Sequence, residues 1–518
     1  MDKILIIDFG SQVTQLIARR IREINVYCEI YSCNVTIEAI LKFAPKGIIL
    51  SGGPNSVYDS SSLTVSDKIY SLGIPILGIC YGMQLMVSQL CGQVTPAKNR
   101  EFGLTQLYNY KSILFDEVIP ESQNNAQLNL INVWMSHGDL VSRLPDGFAT
   151  IASSQSCEYS AISDQTRKLY GVQFHPEVTH TPQGLLLIKN FVFKICQCRA
   201  TWFIANIVDN MILDIKNKVA NDKVILALSG GVDSTVAGLL IKKAIANNLI
   251  CIFVDTGLLR YNEATNIMTM YQKLNINLIK IDAKEEFYNA LKGIVDPELK
   301  RKIIGKLFIE IFEREAKKIP NAKYLAQGTI YPDVIESAAA DTQTAHNIKS
   351  HHNVGGLPES LSLQLLEPLR YLFKDEVRNL GLILGLPEII IKKHPYPGPG
   401  LAVRIIGEVT QEFIKILQLA DHIFIEALIE HNYYDKISQA FAVFLPIKTV
   451  GVMGDARTYQ YMVSLRAVNT VDFMTAEVTN LPHEFLTYVA NKIINEVSGI
   501  NKVVYDISGK PPSTIEWE

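Results

Sequence analysis

Gly78-Ile79-Cys80-Tyr81-Gly82 decides the fold of the first part of this chain, and Ser229-Gly230-Gly231-Val232-Asp233-Ser234 decides that of the middle. Each stretch follows an apolar run typical of a β-strand and precedes a helical pattern, as in the βα units of α/β domains. The first presents a thiol at a tight turn, and the second presents backbone amides that suit a phosphate. We therefore expect two α/β domains, each with a site of its own.

The composition is that of an ordinary globular protein. Of its 518 residues, 48% are hydrophobic and 19% are charged, and this length favours several domains. The net charge of −3 gives no reason to expect nucleic acid or an anionic membrane as a partner, and no apolar run approaches the ~18 residues of a membrane span. The eight cysteines lack a zinc-site spacing, so we expect reduced thiols and a cytoplasmic protein.

The strand and helix pattern divides the chain into three parts. We predict two open, mostly parallel-sheet α/β domains at residues 1–197 and 198–393, followed by a small α+β domain at residues 394–518. The last boundary falls in a stretch rich in proline and glycine, residues 394–400. Strands are predicted at 4–7, 47–50, 74–79, 223–228, 249–254, 323–326, 441–451 and 502–507, and helices at 200–219 and 411–430, with Ser11 capping the first helix.

Cys80 has the position of a nucleophile on a sharp turn between a strand and a helix. The dipole of that helix favours the thiolate form. His175 ends another strand, and Glu177 follows it after one proline, so the pair supplies a base and a carboxylate that fixes its tautomer. An oxyanion hole is expected from backbone amides, to which Gly52, Gly53 and Tyr81 contribute.

These motifs resemble the class I glutamine amidotransferases, and the resemblance covers essentially all of residues 1–195. It implies that Cys80 forms a γ-glutamyl thioester and releases ammonia. It also implies that Gln84 lies on the side of the glutamine substrate. A second family loop, near the glutamine pocket, resembles residues 136–139, in which His137 and Asp139 are candidates for substrate contact.

The stretch 229–234 lacks the Gly-Lys-Ser/Thr ending of a Walker loop. Its amides and hydroxyls can still surround pyrophosphate oxygens, because glycines leave the approach open. It resembles the loop of the PP-loop ATP pyrophosphatases, which cleave ATP between the α- and β-phosphates. The resemblance implies an ATP and pyrophosphate site at Ser229, Gly230, Gly231, Val232, Asp233, Ser234, Val254, Gly328 and Lys374, with Asp333 as a candidate Mg²⁺ ligand.

The polar stretch 341–356 is flanked by glycines and is expected to be a mobile lid over this site. It holds Lys349, His351 and His352. Paired histidines are compatible with a metal site, but no third ligand stands at a recognisable spacing.

The ending, residues 510–518, carries two prolines, a tryptophan and several charges, which predicts that it docks. Over the whole chain, the motif order is similar to a family of PP-loop amidotransferases that aminate xanthosine monophosphate (XMP). That resemblance implies a dimerisation role for the last domain, and hence a homodimer. Its implied XMP-binding positions are Arg301, Pro397, Gly398, Pro399, Gln439, Arg457, Lys510, Thr514, Ile515 and Glu516, among which the arginines and Lys510 suit a phosphate and Glu516 suits purine N–H donors.

The implied reaction has two halves. ATP adenylates O2 of the xanthine ring and releases pyrophosphate, and ammonia from glutamine then attacks C2 to give GMP and AMP. One alternative is another PP-loop amidotransferase, acting on a carboxylate, against which residues 510–518 and Arg301 argue. The other is a non-catalytic nucleotide sensor, against which the intact Cys80, His175 and Glu177 argue.

Overall fold

The structure, a computed structural model, describes residues 1–109, 112–118, 130–341, 363–453, 455–470, 473 and 475–518. The chain divides into two compact units. The first comprises Met1–Ile207 and the described residues 335–341, and the second comprises Val208–Val334 and the described chain from residue 363 onward. The predicted lid, with Lys349, His351 and His352, lies outside the described residues except at its first position. In the described ranges, no helix is long and apolar enough to cross a membrane.

The first unit is built on a nine-stranded sheet in the order β2-β1-β3-β4-β9-β8-β7-β5-β6. The first five strands in this order, β2, β1, β3, β4 and β9, pair in parallel. The other four, β8, β7, β5 and β6, pair antiparallel with their neighbours and extend the sheet. The central parallel strands, Gly47–Leu50, Ile76–Ile79 and Leu169–Val172, are buried along their whole length, as is usual where helices cover both faces of a parallel sheet. The strands are β1 (Lys3–Asp8), β2 (Tyr27–Ser32), β3 (Gly47–Leu50), β4 (Ile76–Ile79), β5 (Gln93–Asn109), β6 (Leu130–Arg143), β7 (Ala149–Ser153), β8 (Ala161–Asp164) and β9 (Leu169–Val172). The helices are Thr14–Glu23, Ile37–Phe43, Asp67–Ser71, Tyr81–Gln89, Ile113–Phe115, Gly184–Lys189 and Asn190–Ile195.

The predicted cap of the first helix is wrong. The helix begins at Thr14, and no side chain caps it. Ser11 instead accepts the Val13 amide hydrogen at 3.2 Å, in a turn before the helix. The Asp8 carboxylate closes the same turn, since its Oδ1 accepts from the Gly10 amide and, at 2.6 Å, from the Thr14 hydroxyl.

The second unit contains a five-stranded parallel sheet in the order β12-β11-β10-β13-β14. Its first strand is central, and the chain fills one side of the sheet before it crosses to the other. The direction therefore reverses between β10 and β13, which is the switch point where open α/β sheets bind ligands. The strands are β10 (Lys223–Ala227), β11 (Leu249–Asp255), β12 (Leu278–Asp282), β13 (Ala322–Ala326) and β14 (Gln364–Leu366); the helices are Ile204–Val219, Val232–Ile245, Ala246–Asn248, Glu263–Lys273, Lys284–Leu291, Pro297–Ala316, Tyr331–Asp341, Lys374–Ile383 and Glu388–Ile391.

The last part of the chain adds a four-stranded sheet and two long helices to this unit. Its strands are β15 (Gln439–Met453), β16 (Ala456–Asn469), β17 (Glu477–Val478) and β18 (Ile500–Tyr505), and its helices are Gly400–Arg404, Gln411–Glu430, Tyr434–Lys436 and His483–Glu496. One continuous hydrophobic core joins Ile225 and Phe287 of the parallel-sheet part to Leu417 and Phe444 of the last part. The α+β pattern predicted for residues 394–518 is therefore found within a larger compact unit, and a domain boundary at residue 394 stays a prediction.

Candidate active sites

The predicted nucleophile and base lie at the ends of neighbouring strands. Strands β3, β4 and β9 are adjacent and parallel, with Leu50 opposite Gly78 and Ile79 opposite Val172. Parallel strands end at a common edge of the sheet, so the residues that follow them meet there. Cys80 follows β4 and His175 follows β9 at this edge.

Glycines allow the turn that carries Cys80. The Cys80 backbone has φ 49° and ψ −107° and immediately precedes helix Tyr81–Gln89. A Cβ atom on Gly78 would come within 2.6 Å of the Met83 amide nitrogen, and one on Gly82 within 2.4 Å of the Leu50 carbonyl oxygen. Both positions therefore need glycine so that the helix can start directly against the sheet.

His175 is held by a buried carboxylate. Its Nδ1 atom lies 2.8 Å from Oε1 of Glu177, a residue with no exposed surface. Burial alone would lower the pKa of His175, but the Glu177 carboxylate and the Cys80 side chain outweigh it and raise this pKa well above its ordinary value. The Glu177 carboxylate therefore favours the protonated ring, and a protonated ring beside Cys80 stabilises the thiolate form of that residue.

Two further groups contact the Cys80 sulfur, which is almost wholly buried. The thiol donates to the Ser136 carbonyl oxygen at 3.7 Å. The side-chain amide of Gln173 donates to the sulfur at 3.6 Å. The sequence indicated neither contact, because Gln173 lies in an apolar strand end without a motif role of its own.

The predicted oxyanion-hole residues lie next to the triad. A Cβ atom on Gly52 would come 3.3 Å from Cε1 of His175. One on Gly53 would come 2.8 Å from the Phe9 carbonyl oxygen and 3.2 Å from the Tyr81 ring. The structure therefore places Gly52 beside His175 and Gly53 beside Tyr81, the residue that follows Cys80.

Gln84, His137 and Asp139 are joined by hydrogen bonds within the site. The Gln84 amide donates to the Asp139 carbonyl at 3.0 Å and to Oε1 of Gln173 at 3.1 Å. The Asp139 carboxylate accepts from the hydroxyls of Ser56 and Tyr58, so it fixes a neighbouring loop. These residues shape the wall beside Cys80.

His137 also contacts a buried glutamate that the sequence did not indicate. Its ring lies between the Asp139 carbonyl, 2.9 Å away, and Oε2 of Glu101, 2.8 Å away. Burial would raise the pKa of Glu101, but hydrogen bonds from His137, Ser156 and Ser154 lower it below its usual value. The Cys157 sulfur completes a group of possible metal ligands within 4.8 Å, although the carboxylate and the ring are already satisfied by these hydrogen bonds.

In the second unit, residues 229–234 comprise the turn that follows β10 and the first residues of helix Val232–Ile245. Gly230 has φ 77°, and Gly231 starts the helix without a side-chain cap, so the amides of the first turn are unblocked by a side chain. The hydroxyls of Ser229 and Ser234 lie 3.1 Å apart. An uncapped helix start that presents amides and hydroxyls is suited to a phosphate group.

Gly328 and Lys374, two other predicted ATP-site residues, lie against this loop. A Cβ atom on Gly328, just beyond β13, would lie 2.9 Å from the Ser234 amide nitrogen, so only glycine fits there. Lys374 contacts both carboxylate oxygens of Asp233, at 2.7 and 2.6 Å. The Asp333 Oδ2 atom accepts the Ile330 amide hydrogen at 3.0 Å.

Val254 lies in β11, next to β10, and its side chain is buried in the core. Only its backbone is therefore available to a ligand at this edge. The loop that follows is fixed by hydrogen bonds, in which the Leu258 carbonyl accepts from the Tyr396 hydroxyl at 2.7 Å and from the Leu401 amide at 2.8 Å.

Glu516 lies at the centre of a buried polar cluster. Arg404, which has no exposed surface, donates two hydrogen bonds to its carboxylate, at 2.9 and 2.7 Å. Gln439 donates a third at 2.7 Å. Arg404 was not predicted, because it stands in an apolar run and its partner is 112 residues away.

The rest of the final segment is docked as predicted. Ile515 is buried, and the wholly buried Arg466 donates to the carbonyls of Ile515 and Thr514 at 2.8 Å each. Lys510 donates to the Phe473 carbonyl at 2.7 Å. Arg301 and the buried Lys300 both contact Glu518.

The predicted XMP positions at residues 397–399 and at Arg457 lie outside this cluster of hydrogen bonds. Pro397, Gly398 and Pro399 lead into a turn that ends with a 2.9 Å hydrogen bond from the Gly400 amide to the Pro397 carbonyl. Arg457 is exposed and pairs with Val452, whereas Gln439 pairs with Val468. Along extended strands this separation is about 40 Å, so one chain does not bring Arg457 to Glu516.

Comparisons with known proteins cover all parts of the chain. Residues 5–195 match the family glutamine amidotransferase class-I, residues 204–304 match NAD synthase, and residues 426–517 match the GMP synthase C terminal domain. A solved structure from Thermoplasma acidophilum, described as a putative GMP synthase subunit, is 33% identical, covering 38% of this chain and 94% of that one, with a TM-score of 0.33.

Two curated relatives match over the whole length. Both are named GMP synthase [glutamine-hydrolyzing]. The one from Aromatoleum aromaticum is 57% identical and covers 100% of this chain and 99% of its own length. The one from Colwellia psychrerythraea is 56% identical and covers 100% and 98%. With this identity over its full length, the chain belongs to the family of glutamine-hydrolysing GMP synthases.

Proposed function

We propose that this protein converts XMP to GMP, taking the nitrogen from glutamine and cleaving ATP to AMP and pyrophosphate. The observation that carries the proposal is the Cys80, His175 and Glu177 constellation in a chain 57% identical throughout to a glutamine-hydrolysing GMP synthase. An uncapped glycine-rich loop in the second unit supports the ATP-dependent half.

Glutamine hydrolysis follows from the first site. The Cys80 thiolate attacks the carbon of the glutamine carboxamide, and the backbone amides near Gly53 and Tyr81 stabilise the resulting oxyanion. His175 gives its proton to the departing nitrogen, so that ammonia leaves and a thioester remains. Water then attacks the thioester with His175 as base, releasing glutamate and restoring the thiolate.

Adenylation and amination follow at the second site. The oxygen on C2 of XMP attacks the α-phosphorus of ATP, and the bond to the β-phosphate breaks. The pyrophosphate that leaves is held by the amides and hydroxyls of residues 229–234 and by Lys374. Ammonia then attacks C2, and AMP departs with the former C2 oxygen.

Magnesium is expected to accompany ATP. Asp333 supplies the oxygen ligands that Mg²⁺ prefers, although its Oδ2 already accepts the Ile330 amide hydrogen. Asp233 is paired with Lys374, so its carboxylate is less suited to bind Mg²⁺ than that of Asp333. The residues thus fit an ion that Asp333, phosphate oxygens and water hold together, and that would neutralise phosphate charge.

XMP recognition is assigned to the cluster around Glu516. Its carboxylate is oriented by hydrogen bonds from Arg404 and Gln439, which suits it to accept from the N–H groups of the xanthine ring. Arg301 and Lys510 supply positive charge for the phosphate. Reduced thiols at all eight cysteines fit a cytoplasmic enzyme.

We further propose that the active form is a homodimer. The distal part of the β15–β16 hairpin exposes Ile447, Val450, Val452 and Tyr459, at 57, 58, 72 and 62% of their surface. A second copy covering this patch would remove apolar surface from water. Arg457 lies on the same hairpin, so a second copy could supply it to a site that its own chain does not reach.

Subunit mixing tests the dimer. At limiting XMP, Arg457→Ala and Glu516→Gln are each expected to be strongly impaired alone, and a mixture that exchanges subunits should regain part of the activity, because one mixed site carries both native residues. Sedimentation of Val452→Asp is expected to give a monomer. No recovery on mixing, with exchange demonstrated by labelled subunits, would count against a shared site.

Pyrophosphate release tests the proposed reaction. We expect release only with ATP and XMP together, and GMP when glutamine or ammonia is added. A PP-loop amidotransferase with a carboxylate substrate would give no release with XMP. A nucleotide sensor would bind ATP without any turnover.

A further inference from the structure

The orientation of the Gln173 side chain follows from its partners. A backbone carbonyl can only accept, so the Gln84 atom 3.0 Å from the Asp139 carbonyl is its nitrogen. The same nitrogen lies 3.1 Å from the Gln173 amide, which must therefore turn its oxygen towards Gln84. Its own nitrogen then faces the Cys80 sulfur, 3.6 Å away. The hydrogen-bond network therefore sets which way the side-chain amides of Gln84 and Gln173 point.

The two neutral contacts of the sulfur have opposite effects. The Ser136 carbonyl accepts from the thiol and would face a thiolate with its own negative end. The Gln173 N–H points its positive end at the sulfur and therefore favours the thiolate. Gln173 has no exposed surface, and Gln84 is 4% exposed, so water does not compete for these hydrogen bonds.

We infer that Gln173 is a further catalytic residue, whose side-chain N–H stabilises the Cys80 thiolate, and that Gln84 is the positioning residue that orients it. The charged groups that act at this thiol are His175 and, through it, Glu177. Gln173 adds a neutral donor to the same sulfur, and this donor does not depend on the protonation state of His175. The inference rests on the proposed glutamine hydrolysis at Cys80.

Alkylation by iodoacetamide measures the thiolate without any glutamine turnover. In full-length protein with the exposed Cys91 replaced by serine, the rate of Cys80 modification against pH gives an apparent pKa, with the modified peptide identified by mass spectrometry. Gln173→Met keeps the side-chain length and removes the donor. We expect this variant to raise the apparent pKa of Cys80 by about one unit, which lowers the thiolate fraction about tenfold on the acidic side.

Gln89→Met is the matched control. Gln89 lies on the same helix as Gln84, and its amide donates to the Val65 carbonyl at 2.8 Å, away from the thiol. This variant should leave the Cys80 profile unchanged. Gln84→Met should shift the profile in the same direction as Gln173→Met but by less, because the Gln173 amide is then free to rotate.

Gln173→Glu keeps the shape of the side chain and provides the test of the thiolate contact if Gln173→Met does not fold. Its carboxylate beside the sulfur should raise the apparent pKa further. An unchanged alkylation profile in a folded Gln173 variant would overturn the inference. A shifted profile in a protein that releases no glutamate from glutamine would instead contradict the proposed function and leave the thiolate contact standing.

Discussion

The Nδ1 atom of His175 lies 2.8 Å from Oε1 of Glu177, at the end of the strand beside the one that leads to Cys80. Only a proline separates the two residues in the chain, so the orientation of the ring is set locally. The partner of the ring, Cys80, comes from 95 positions earlier and is brought there by the parallel pairing of β4 and β9. The local chain therefore sets the contact between the base and its carboxylate, and the pairing of β4 with β9 brings the nucleophile to them.

Replacing Glu177 by glutamine should preserve the hydrogen bond but remove the charge. The pKa of His175 should then fall, because the carboxylate that raises it is gone. We expect glutamate release to drop by about 10² to 10⁴-fold, by analogy with neutral substitutions in nucleophile–histidine–carboxylate triads. The pH profile of glutaminase activity measures both effects, with Glu29→Gln as a control at a carboxylate bonded to Tyr27.

Replacing Cys80 by alanine should abolish GMP formation from glutamine and spare formation from external ammonium chloride. The reason is that only the first half of the reaction uses the thiol. Rates with each nitrogen source measure the separation, and Cys91→Ala should change neither rate. Loss of both activities in a folded Cys80→Ala protein would refute the division of labour.

Replacing Gly328 by alanine should impair ATP use. The added methyl group would come 2.9 Å from the Ser234 amide nitrogen and displace the helix start that we assign to pyrophosphate. We expect kcat/KM for ATP to fall at least about tenfold, a cost of about 1.4 kcal/mol. Gly305→Ala is the control, since a Cβ atom there meets nothing within 4 Å. Pyrophosphate release at varied ATP gives the comparison.

Replacing Glu516 by glutamine should raise the KM for XMP at least about tenfold, because the ring N–H groups lose a charged acceptor. It also removes the carboxylate that is hydrogen-bonded to the buried Arg404, and loss of a buried partner of this kind costs about 3–5 kcal/mol. Urea unfolding should therefore show a loss of stability as well. Glutaminase activity serves as the internal control, and an unchanged KM in a folded variant would exclude Glu516 from XMP binding.

His394 should make the second unit sensitive to mild acid. Burial and the nearby Arg260 cation lower its pKa to about 4, while its ring accepts from the Ala440 amide at 3.2 Å. Between pH 6.5 and 4 the unfolded chain binds a proton that the folded protein does not. Stability is therefore complete above pH 6.5 and falls by about 1.4 kcal/mol per pH unit down to about pH 4.

Urea unfolding at pH 7 and pH 5 measures this dependence. His394→Gln keeps a neutral side chain and should lose about 2 kcal/mol less than the native protein between the two pH values. His431→Gln, at an exposed histidine, should behave like the native protein. Equal losses in all three proteins would assign the acid sensitivity elsewhere.

Much of the parallel framework could be predicted from local pattern. The strand 47–50 and the helix 411–430 have the predicted bounds, because a strand buried on both faces is continuously apolar and the helix repeats its apolar residues every turn. The antiparallel extension formed by β5 to β8 was not predicted. Its pairing joins segments of mixed composition, for which register depends on partners distant in the chain.

The site residues likewise differ in whether the local sequence could predict them. Cys80, His175 and the loop 229–234 stand at strand ends, where glycine and proline mark the turns. Gln173 and Arg404 are polar residues inside apolar runs, and their roles depend on partners 93 and 112 residues away. No local periodicity carries such information, so three-dimensional contacts are needed to find them.

The backbone conformation of Cys80 lowers the stability of the folded protein. A residue with a side chain at φ 49° and ψ −107° is strained by about 1–3 kcal/mol, and glycine would relieve most of that strain. The folded protein would therefore gain stability from the loss of its own nucleophile. A screen for heat resistance alone would therefore select glycine at position 80 and remove the thiol, whereas a screen that also demands glutamine-dependent turnover would retain the strained cysteine.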